Sequence, residues 1–498
     1  MTKARKGGEP PLSHLEEFFI DGRWTQPSTD KRIDVVAPAN EELYMRVAEA
    51  TEEDMNRAVA AARRAFDEGP WPRMTHQERA VFLMKIADRL IERADDIAQI
   101  WPNEMGIVHS LASEYAKGVN GIYRYYAGLA SKFPFVEERR TFSGAKNGFL
   151  VREPVGVVGA IIPWNGPISL IAFKLAPALL AGCTTVIKAS PEAPGHILLM
   201  GEIAEEVGLP PGVVNVLTAN REASESLVRN PGVDKIAFTG SSAAGRRIAS
   251  VLGERIGRCT LELGGKSAAI ILDDYDVSVA ADAITAQACP MSGQVCASLT
   301  RVIVSKHRQS EFVEALSDRF SKIRVGDPFD KDTQMGPLAT RTQRERVERY
   351  IALGREAGFK LTTGGARPPG LNRGFYIEPT VFADVENSSA IAQEEIFGPV
   401  VSVIPCASEK EAVRMANDSI FGLNGAVFTN DVERAYAIGR EIRSGTFGQN
   451  ACRMDFTIAF GGFKQSGIGR EGGVEGLLPY LESKTMLLEG KPAALTES

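Results

Sequence analysis

A repeated alternation of short apolar runs and helical segments constrains the fold of this chain more than any other feature. Val155–Ile162 is an almost continuous run of Val, Ile and other apolar residues, as expected for a strand buried on both faces. Similar runs and intervening helical segments follow it: Ser169–Ala181 (helix), Thr184–Lys188 (strand), His196–Val207 (helix), Val213–Leu217 (strand), Ser224–Val228 (helix), Lys235–Thr239 (strand) and Ala243–Leu252 (helix). This order predicts a parallel sheet with right-handed crossovers.

A second alternation begins after about Gly264. Ser267–Leu272 and Arg301–Val304 have the length and apolar content of strands. Glu311–Ser321 and Gln343–Glu356 have helical periodicity. We therefore expect an α/β protein with two α/β domains.

Two helices are predicted before the first sheet. Thr51–Gly69 and Thr75–Ile100 both show helical periodicity, and each begins at a Thr followed closely by acidic or Gln residues. This arrangement is typical of an N-cap. The break between the helices lies at Gly69-Pro70-Trp71-Pro72.

Composition excludes several classes of protein. A net charge of −6 over 498 residues argues against electrostatic binding of nucleic acid. No apolar stretch approaches the ~20 residues of a membrane-spanning helix. The basic start of the chain lacks the apolar core of a secretory signal, so we expect a cytoplasmic protein with a flexible tail over Met1–Ser13.

Cysteine is the residue type with the most informative placement. The six cysteines form no CxxC pair and the five histidines no ligand spacing, so reduced thiols and no metal site are predicted. A buried, inert thiol is the ordinary role of a cysteine, and we assign it to Cys183, Cys259 and Cys406. Cys289 and Cys452 are weak candidates for chemistry. Cys296 differs, because small and polar residues flank it in the Gly-preceded segment 293–298 (GQVCAS).

The segment 238–245 (FTGSSAAG) joins a predicted strand to a predicted helix. Free backbone N–H groups and the helix dipole favour a phosphate there, and Gly240 allows close approach. It is not a P-loop, because Arg246-Arg247 follow Gly245 where a P-loop has Lys and then Ser or Thr. An anion site and a plain helix start both remain open at this point.

The segment 162–165 (IPWN) follows the first buried strand. Ligands of open α/β sheets bind at that edge, and the side-chain amide of Asn165 can donate to an oxyanion. The alternative is a strand-end turn held by Pro163 and Asn165.

The segment 261–266 (LELGGK) places Glu262 in apolar surroundings. A carboxylate in such surroundings tends to have a raised pKa, which suits a general base. The alternative is an exposed or Lys-paired carboxylate.

Together these segments resemble the aldehyde dehydrogenase superfamily over nearly the whole chain. The glutamate signature of that family matches 261–266, its cysteine signature matches 293–298, and Glu262 precedes Cys296 by 34 residues (296 − 262). The PWN and FTGS elements, 394–399 (EEIFGP) and 460–467 (FGGFKQSG) occur in the family's order. The joint match outweighs the structural alternatives for single segments.

The resemblance implies hydrolytic, CoA-independent oxidation of an aldehyde with NAD(P)+. The Cys296 thiolate would attack the aldehyde carbon, and the Asn165 amide and the Cys296 backbone N–H would hold the oxyanion. Hydride would pass to the nicotinamide, and Glu262 would activate the water that hydrolyses the thioester. A CoA-acylating relative, which normally lacks the glutamate, and a non-catalytic nucleotide-binding relative are the alternatives.

Domain organisation also follows from the resemblance. A Rossmann-like cofactor domain would comprise 14–133 and 153–263, and the catalytic domain 264–467. A small β bridging element would comprise 134–152 and 476–498, with strands near Phe135–Arg152 and Lys484–Leu488 joining subunits. A largely apolar edge strand is better paired than exposed, so a homodimer or a dimer of dimers (homotetramer) is expected.

Cofactor positions carry over by motif, with NAD expected and NADP possible. They are Ile162, Trp164, Lys188, Ser190, Gly240, Ser241, Glu395 and Phe397. Many NAD-preferring relatives read Lys-x-x-Glu at the adenosine ribose, whereas this chain reads KASPE and places Glu192 one residue later. The displacement leaves the choice between NAD and NADP open.

The substrate tunnel is predicted from positions relative to Asn165 and Cys296. Its lining is Gly166, Leu170, Phe173, Val295, Met454 and Phe460. Because these residues are largely apolar, we expect a hydrophobic aldehyde, aliphatic, terpenoid or aromatic, rather than a charged one such as betaine aldehyde.

Overall fold

The computed structural model of the protein describes residues 8–495. Over these residues its strands are β1 (Phe18–Ile20), β2 (Arg23–Thr25), β3 (Arg32–Ala37), β4 (Glu42–Ala48), β5 (Val136–Arg139), β6 (Asn147–Pro154), β7 (Val157–Ile161), β8 (Thr184–Ala189), β9 (Val214–Thr218), β10 (Lys235–Thr239), β11 (Arg258–Glu262), β12 (Ala268–Ile271), β13 (Arg301–Ser305), β14 (Lys360–Thr363), β15 (Thr380–Ala383), β16 (Val400–Cys406), β17 (Asn424–Phe428), β18 (Thr446–Gln449), β19 (Gly467–Ile468) and β20 (Leu481–Leu488). Its α-helices are α1 (Glu52–Asp67), α2 (His76–Glu92), α3 (Ala94–Met105), α4 (His109–Gly118), α5 (Asn120–Leu129), α6 (Pro167–Ala181), α7 (Gly195–Glu206), α8 (Arg221–Arg229), α9 (Ser242–Gly253), α10 (Val277–Ala288), α11 (Gln309–Ser321), α12 (Arg341–Glu356), α13 (Ala390–Gln393), α14 (Glu409–Asn417) and α15 (Val432–Glu441).

The first sheet has the strand order β19-β11-β10-β7-β8-β9-β1-β2. Its five central strands are parallel. From β7 the chain moves outward through β8 and β9, then returns to add β10 and β11 on the other side of β7. The adjacent carboxyl ends of β7 and β10 therefore form the switch point at which open α/β sheets bind ligands.

The central strands of this sheet are buried because both faces are covered. Val158 and Ala160 of β7 enter one apolar cluster, whereas Val157 and Ile161 enter another on the opposite face. Strands β7, β8, β9 and β10 are buried along their whole length. The continuous apolar runs predicted this two-sided burial.

The second sheet has the order β14-β15-β16-β13-β12-β17-β18, and only β14 runs antiparallel to its neighbour. Separate apolar clusters again cover its two faces. The predicted fold class, two α/β domains with a smaller β element, is confirmed.

The smaller element is an antiparallel sheet in the order β20-β6-β5. Strand β20 pairs with β6 along its full length, from Leu481 opposite Pro154 to Leu488 opposite Asn147. Residues 482–487 of β20 are exposed. The two segments predicted for the bridging element therefore meet in one sheet with an uncovered edge.

Helix starts agree closely with the sequence. Thr51 and Thr75 each form a capping box with the third residue of the helix that follows. The segment predicted as a single helix to Ile100 is broken at Arg93 into α2 and α3. Arg93 donates to Glu202 and Glu206 of α7, so contacts with a distant helix stabilise the break.

The chain also returns to the first sheet after completing the second. Strand β19 pairs antiparallel with β11, with Gly467 opposite Glu262. The predicted end of the catalytic domain at residue 467 therefore coincides with the first residue of a strand in the other sheet. Strands β1–β4 were not predicted, since they are short and lack a long apolar run.

Of the predicted flexible tail, residues 1–7 lie outside the described residues. The remaining part, 8–13, differs from the prediction, because its backbone is hydrogen-bonded to α3 and α7. Gln99 donates to the carbonyl of Glu9, Arg93 donates to the carbonyl of Pro11, and the N–H of Ser13 donates to Glu202. No helix in the described part of the chain is both long enough and apolar enough to cross a bilayer.

Candidate active site

A pocket of about 250 Å³ lies at the switch point of the first sheet. It brings together eight residues predicted from the sequence: Trp164, Asn165, Gly240, Ser241, Glu262, Cys296, Glu395 and Phe397. The remaining lining residues, which the sequence did not single out for the site, are Pro163, Thr239, Leu263, Gly264, Gln343 and Arg346.

Cys296 lies on the loop between α10 and β13 and is half-buried. Burial raises the pKa of its thiol to about 12, and the carboxylates of Glu395 and Glu262 act in the same direction. Hydrogen bonds from the backbone N–H groups of Ala297 and of Cys296 itself oppose the rise in pKa. The sulfur is therefore a thiol at neutral pH and must lose its proton before it can act as a nucleophile.

Asn165 follows the carboxyl end of β7. Its Nδ2 donates to the backbone carbonyl of Gln294, two residues before Cys296, at 3.0 Å. The backbone carbonyl of Asn165 accepts from the indole N–H of Trp101 at 3.1 Å. Because the amide nitrogen carries two hydrogens, the second remains available to a ligand in the pocket.

Glu262 ends β11 and is only 3% exposed. Neither carboxylate oxygen has a hydrogen-bond partner among the described residues. Burial raises its pKa well above the usual range and Glu471 adds to the rise, while Lys174 and Arg470 oppose it. The backbone approaches closely, since a Cβ on Gly461 would lie 2.6 Å from Oε1.

A buried ion pair beside Glu262 was not predicted from the sequence. Lys174 Nζ lies 2.6 Å from Glu471 Oε1 and donates to Thr239 Oγ1, also at 2.6 Å. The available signal was a lone Lys in the otherwise apolar helix α6. Such a cation is buried only with a partner, but the sequence does not show that the partner lies 297 residues away.

The turn from β10 into α9 has the features of a phosphate site. Ser241 caps α9 by accepting from the N–H of Ala244 at 3.3 Å. The N–H of Gly240 donates to the carbonyl of Glu262 at 3.0 Å. A Cβ on Gly240 would lie 2.5 Å from the ring of Phe238, so glycine leaves the turn open to a ligand.

Lys188 and Ser190 lie at the carboxyl end of β8, beside this pocket but not in its lining. Ser190 Oγ donates to the carboxylate of Glu192. Burial lowers the pKa of Lys188 to about 8, and Glu192 partly opposes this. The displaced glutamate therefore still places its carboxylate beside Ser190 and close to Lys188.

Glu395 and Phe397 form the opposite wall. Glu395 Oε1 accepts from the N–H of Gly265 at 3.0 Å, and burial raises the pKa of its carboxyl. Phe397 has a φ of +62° and meets Trp164 edge-on at 5.4 Å between ring centroids. Gln343, from the first turn of α12, donates to the carbonyl of Phe397 at 2.6 Å and holds this strained residue in place.

The other predicted residues lie outside the pocket. Ile162 is buried in the core at the end of β7, and Leu170 and Phe173 pack against that same core. Gly166 precedes α6, and Val295 lines a separate small cavity with Lys266 and Ser298. Met454 is 58% exposed, and Phe460 forms a two-residue bridge with Glu471. None of the six predicted tunnel residues lines this pocket. Leu170 and Phe173, together with Ser169, are the residues of α6 that stay only partly buried.

One pocket at the switch point of a parallel sheet thus holds a thiol, an amide and a buried carboxyl group beside a helix N-terminus. Such a pocket is typical of a nucleotide-dependent enzyme with a reactive thiol. The family model described as aldehyde dehydrogenase family matches residues 24–486. The chain therefore belongs to the aldehyde dehydrogenase family and is an oxidoreductase that uses NAD(P).

Individual relatives match over nearly their whole length. The geranial dehydrogenase of Castellaniella defragrans is 41% identical over 476 residues, covering 95% of this chain and 99% of the relative. The betaine aldehyde dehydrogenase of Bacillus subtilis is 37% identical over 486 residues, covering 96% and 99%. A crystal structure of an aldehyde dehydrogenase of Mycobacterium tuberculosis complexed with NAD+ has a TM-score of 0.94 at 44% identity, covering 97% of this chain and 100% of that one.

Proposed function

We propose that the protein oxidises an aldehyde to the carboxylic acid with Cys296 as the nucleophile, Asn165 as the oxyanion donor and Glu262 as the base. The observation that carries the proposal is that all three line one pocket with the N-terminus of α9. Attack by the Cys296 thiolate on the aldehyde carbon creates an oxyanion, which accepts hydrogen bonds from the Asn165 amide and the Cys296 N–H. NAD+, when bound, accepts the hydride. Glu262 then takes a proton from the water that hydrolyses the thioester.

Two cysteine variants test this assignment. Cys296→Ala should abolish NADH formation from aldehydes, followed by absorbance, because no other described thiol lies in the pocket. Cys289→Ala is the matched control, since Cys289 is buried at the end of α10 outside the pocket. NADH formation that persists in Cys296→Ala would overturn the proposal. A strict requirement for CoA would favour the acylating alternative, against which Glu262 in the pocket already argues.

We further infer that NAD+ is preferred to NADP+. The residues present fit the nucleotide: Lys188 and Ser190 for the adenosine ribose, Gly240 and Ser241 for the pyrophosphate, and Trp164, Glu395 and Phe397 for the nicotinamide half. Ile162, also expected there, is buried at the end of β7 and does not line the pocket. The carboxylate of Glu192 beside Ser190 can accept from a ribose hydroxyl but repels a 2′-phosphate. Comparison of kcat/KM for the two nucleotides at one aldehyde tests the inference, and equal values would contradict it.

We propose that the enzyme prefers hydrophobic aldehydes as substrates. Met454, Phe456 and Ile458 are exposed apolar residues on the loop that precedes Phe460. The ring of Phe456 meets Tyr125 of α5 edge-on at 6.3 Å, which anchors the loop to the helical layer. The geranial dehydrogenase relative supports a terpenoid or aliphatic substrate, whereas the betaine aldehyde dehydrogenase relative supports the alternative.

A panel of hexanal, a terpenoid aldehyde, benzaldehyde and betaine aldehyde separates these possibilities by kcat/KM. We expect the lowest value for betaine aldehyde, because the loop exposes three apolar side chains and its one carboxylate, Asp455, already accepts from the N–H and hydroxyl of Thr457. The predicted tunnel residues Gly166, Leu170, Phe173, Val295 and Phe460 remain part of this proposal. A clear preference for betaine aldehyde would contradict it.

Assembly is proposed through the small third sheet. Leu487 on the free edge strand β20 is 53% exposed, and Phe142 between β5 and β6 is 91% exposed. Apolar side chains on an uncovered edge favour pairing with another chain, so we propose a dimer or a dimer of dimers with the domain boundaries given above. Light scattering should report a multiple of the chain mass that falls in Leu487→Lys; a monomeric wild-type protein would refute the proposal.

A further inference from the structure

A strained turn immediately precedes the loop of Cys296. Met291, Ser292 and Gly293 have consecutive φ values of +53°, +54° and +70°. For a residue with a side chain, the left-handed region is unfavourable, and such strain persists only where surrounding contacts impose it. Two strained residues in succession, within five residues of a nucleophile, need a structural reason.

Buried hydrogen bonds impose this conformation. The hydroxyl of Ser292, a residue only 1% exposed, lies 2.8 Å from the carbonyl of Gly336 and 3.0 Å from that of Pro337. Gln294 Nε2 donates to the carbonyl of Met291 at 3.0 Å, and its Oε1 accepts from the N–H of Ala339 at 2.9 Å. The turn is thus fastened to the segment 336–339, which we call the brace.

The brace is itself fixed against the helical layer of the other domain. A Cβ on Gly106, which ends α3, would lie 2.6 Å from the carbonyl of Pro337. Trp101 of the same helix donates to the carbonyl of Asn165. Helix α3 therefore contacts both the brace and the residue that carries the oxyanion donor.

The turn determines the placement of two groups in the pocket. The carbonyl of Gln294 accepts from Asn165 Nδ2 at 3.0 Å and so orients the side-chain amide. On the other side of Gln294, the backbone N–H groups of Cys296 and Ala297 lower the pKa of the thiol against the effect of burial. Relaxation of the turn would move the amide and the thiol relative to each other.

We propose that Ser292 is a positioning residue, whose hydroxyl holds the left-handed turn on the brace so that the Cys296 thiol and the Asn165 amide converge on one point. This inference rests on the nucleophilic role of Cys296 proposed above. Misplacement of reacting groups by about 1 Å can lower a rate by about 10²-fold, so the hydroxyl acts on kcat without touching the substrate.

The test uses paired variants at one position. Ser292→Ala removes the hydroxyl but keeps the strain, and kcat per titrated thiol should fall about 10-fold or more while KM for NAD+ stays within about 2-fold. Ser292→Gly removes the hydroxyl and the strain together, so it should recover part of the lost kcat. Val313→Ala, a buried change in α11 remote from the pocket, controls for lost stability.

A second readout does not depend on turnover. Iodoacetamide alkylates the thiolate of Cys296, and peptide mass spectrometry locates the product. The second-order rate of this alkylation rises with pH, and the rise should occur at a higher pH in Ser292→Ala than in the wild-type protein. The reason is that the N–H groups that favour the thiolate are no longer aligned. Val313→Ala should leave this pH profile unchanged.

Three results would overturn the inference: a Ser292→Ala kcat within about 2-fold of wild type, an equal loss of kcat in a Val313→Ala protein of the same thermal midpoint, or an unshifted alkylation profile. A kcat of Ser292→Gly that is no higher than that of Ser292→Ala would also overturn the inference. If the wild-type protein oxidises no aldehyde, the proposed function fails, while the alkylation profile still decides the role of Ser292.

Discussion

Replacing Glu104 by Gln should remove a large part of the pH dependence of folding stability. Glu104 lies near the end of α3 and is 1% exposed. Its Oε1 accepts from the N–H of Gly195 at 2.7 Å, and its Oε2 has no hydrogen-bond partner among the described residues. Burial raises the pKa of this carboxyl from 4.5 to about 8, and the hydrogen bond from Gly195 only partly opposes the rise.

The direction of the effect follows from proton linkage. Between pH 4.5 and about pH 8 the folded protein keeps a proton on Glu104 that the unfolded chain loses, so stability is full below this range and falls as the pH rises through it. Each pH unit corresponds to about 1.4 kcal/mol, so the whole window corresponds to about 5 kcal/mol. Between pH 5 and pH 8 the expected difference is about 4 kcal/mol.

Urea unfolding of wild type and Glu104→Gln, at several pH values and one protein concentration, measures this effect. Gln keeps the acceptor for Gly195 but does not titrate, so the stability of the variant relative to wild type should grow with pH, and any constant packing difference cancels. Glu314→Gln, an exposed change in the middle of α11, is the matched control. A relative stability that changes by less than about 1 kcal/mol across this range would refute the reasoning.

Four further predictions concern the pocket and the ribose site beside it. Asn165→Ala should lower kcat by about 10²–10³-fold with a smaller change in KM, because one oxyanion donor is lost; steady-state NADH formation measures this, and a loss below about 5-fold would contradict the role. Wild-type kcat should rise with pH, because the raised pKa values of Glu262 and Cys296 both require proton loss before they act. Glu262→Gln should form a burst of about one NADH per site and then slow, since the thioester is not hydrolysed; full steady-state turnover would exclude Glu262 as the base. Glu192→Gln should raise the NADP+/NAD+ ratio of kcat/KM while the same ratio in Glu222→Gln stays at the wild-type value.

The local sequence predicted the features that depend on local physics. Continuous apolar runs predict parallel strands that are buried on both faces, and β10 has the predicted bounds, Lys235–Thr239. Thr51 and Thr75 cap their helices because the acidic residue needed for a capping box lies three positions later in the same segment. The pocket residues carried by strand-end motifs, such as Asn165 and Glu262, were predictable for the same reason.

Other features depend on contacts between distant segments. Gln343 enters the pocket from the first turn of an ordinary polar helix, and nothing near it in sequence marks its contact with Phe397. The break at Arg93 depends on carboxylates of α7. Glu192 appeared displaced when counted along the chain, yet the turn after β8 brings its carboxylate to Ser190. Spacing alone does not report such turns.

The bridge between Phe460 and Glu471 has a consequence for any exchange of substrate loops among relatives. These two residues bond to each other through both backbone groups, at 2.6 and 2.8 Å. Phe460 ends the exposed loop, whereas Glu471 holds Lys174 beside Glu262, the proposed general base. A transplanted loop that shifts this bridge by one residue would therefore alter the titration of Glu262 as well as the loop that we propose to select the aldehyde. Chimaeras among relatives should therefore be joined outside residues 460–471 rather than within them.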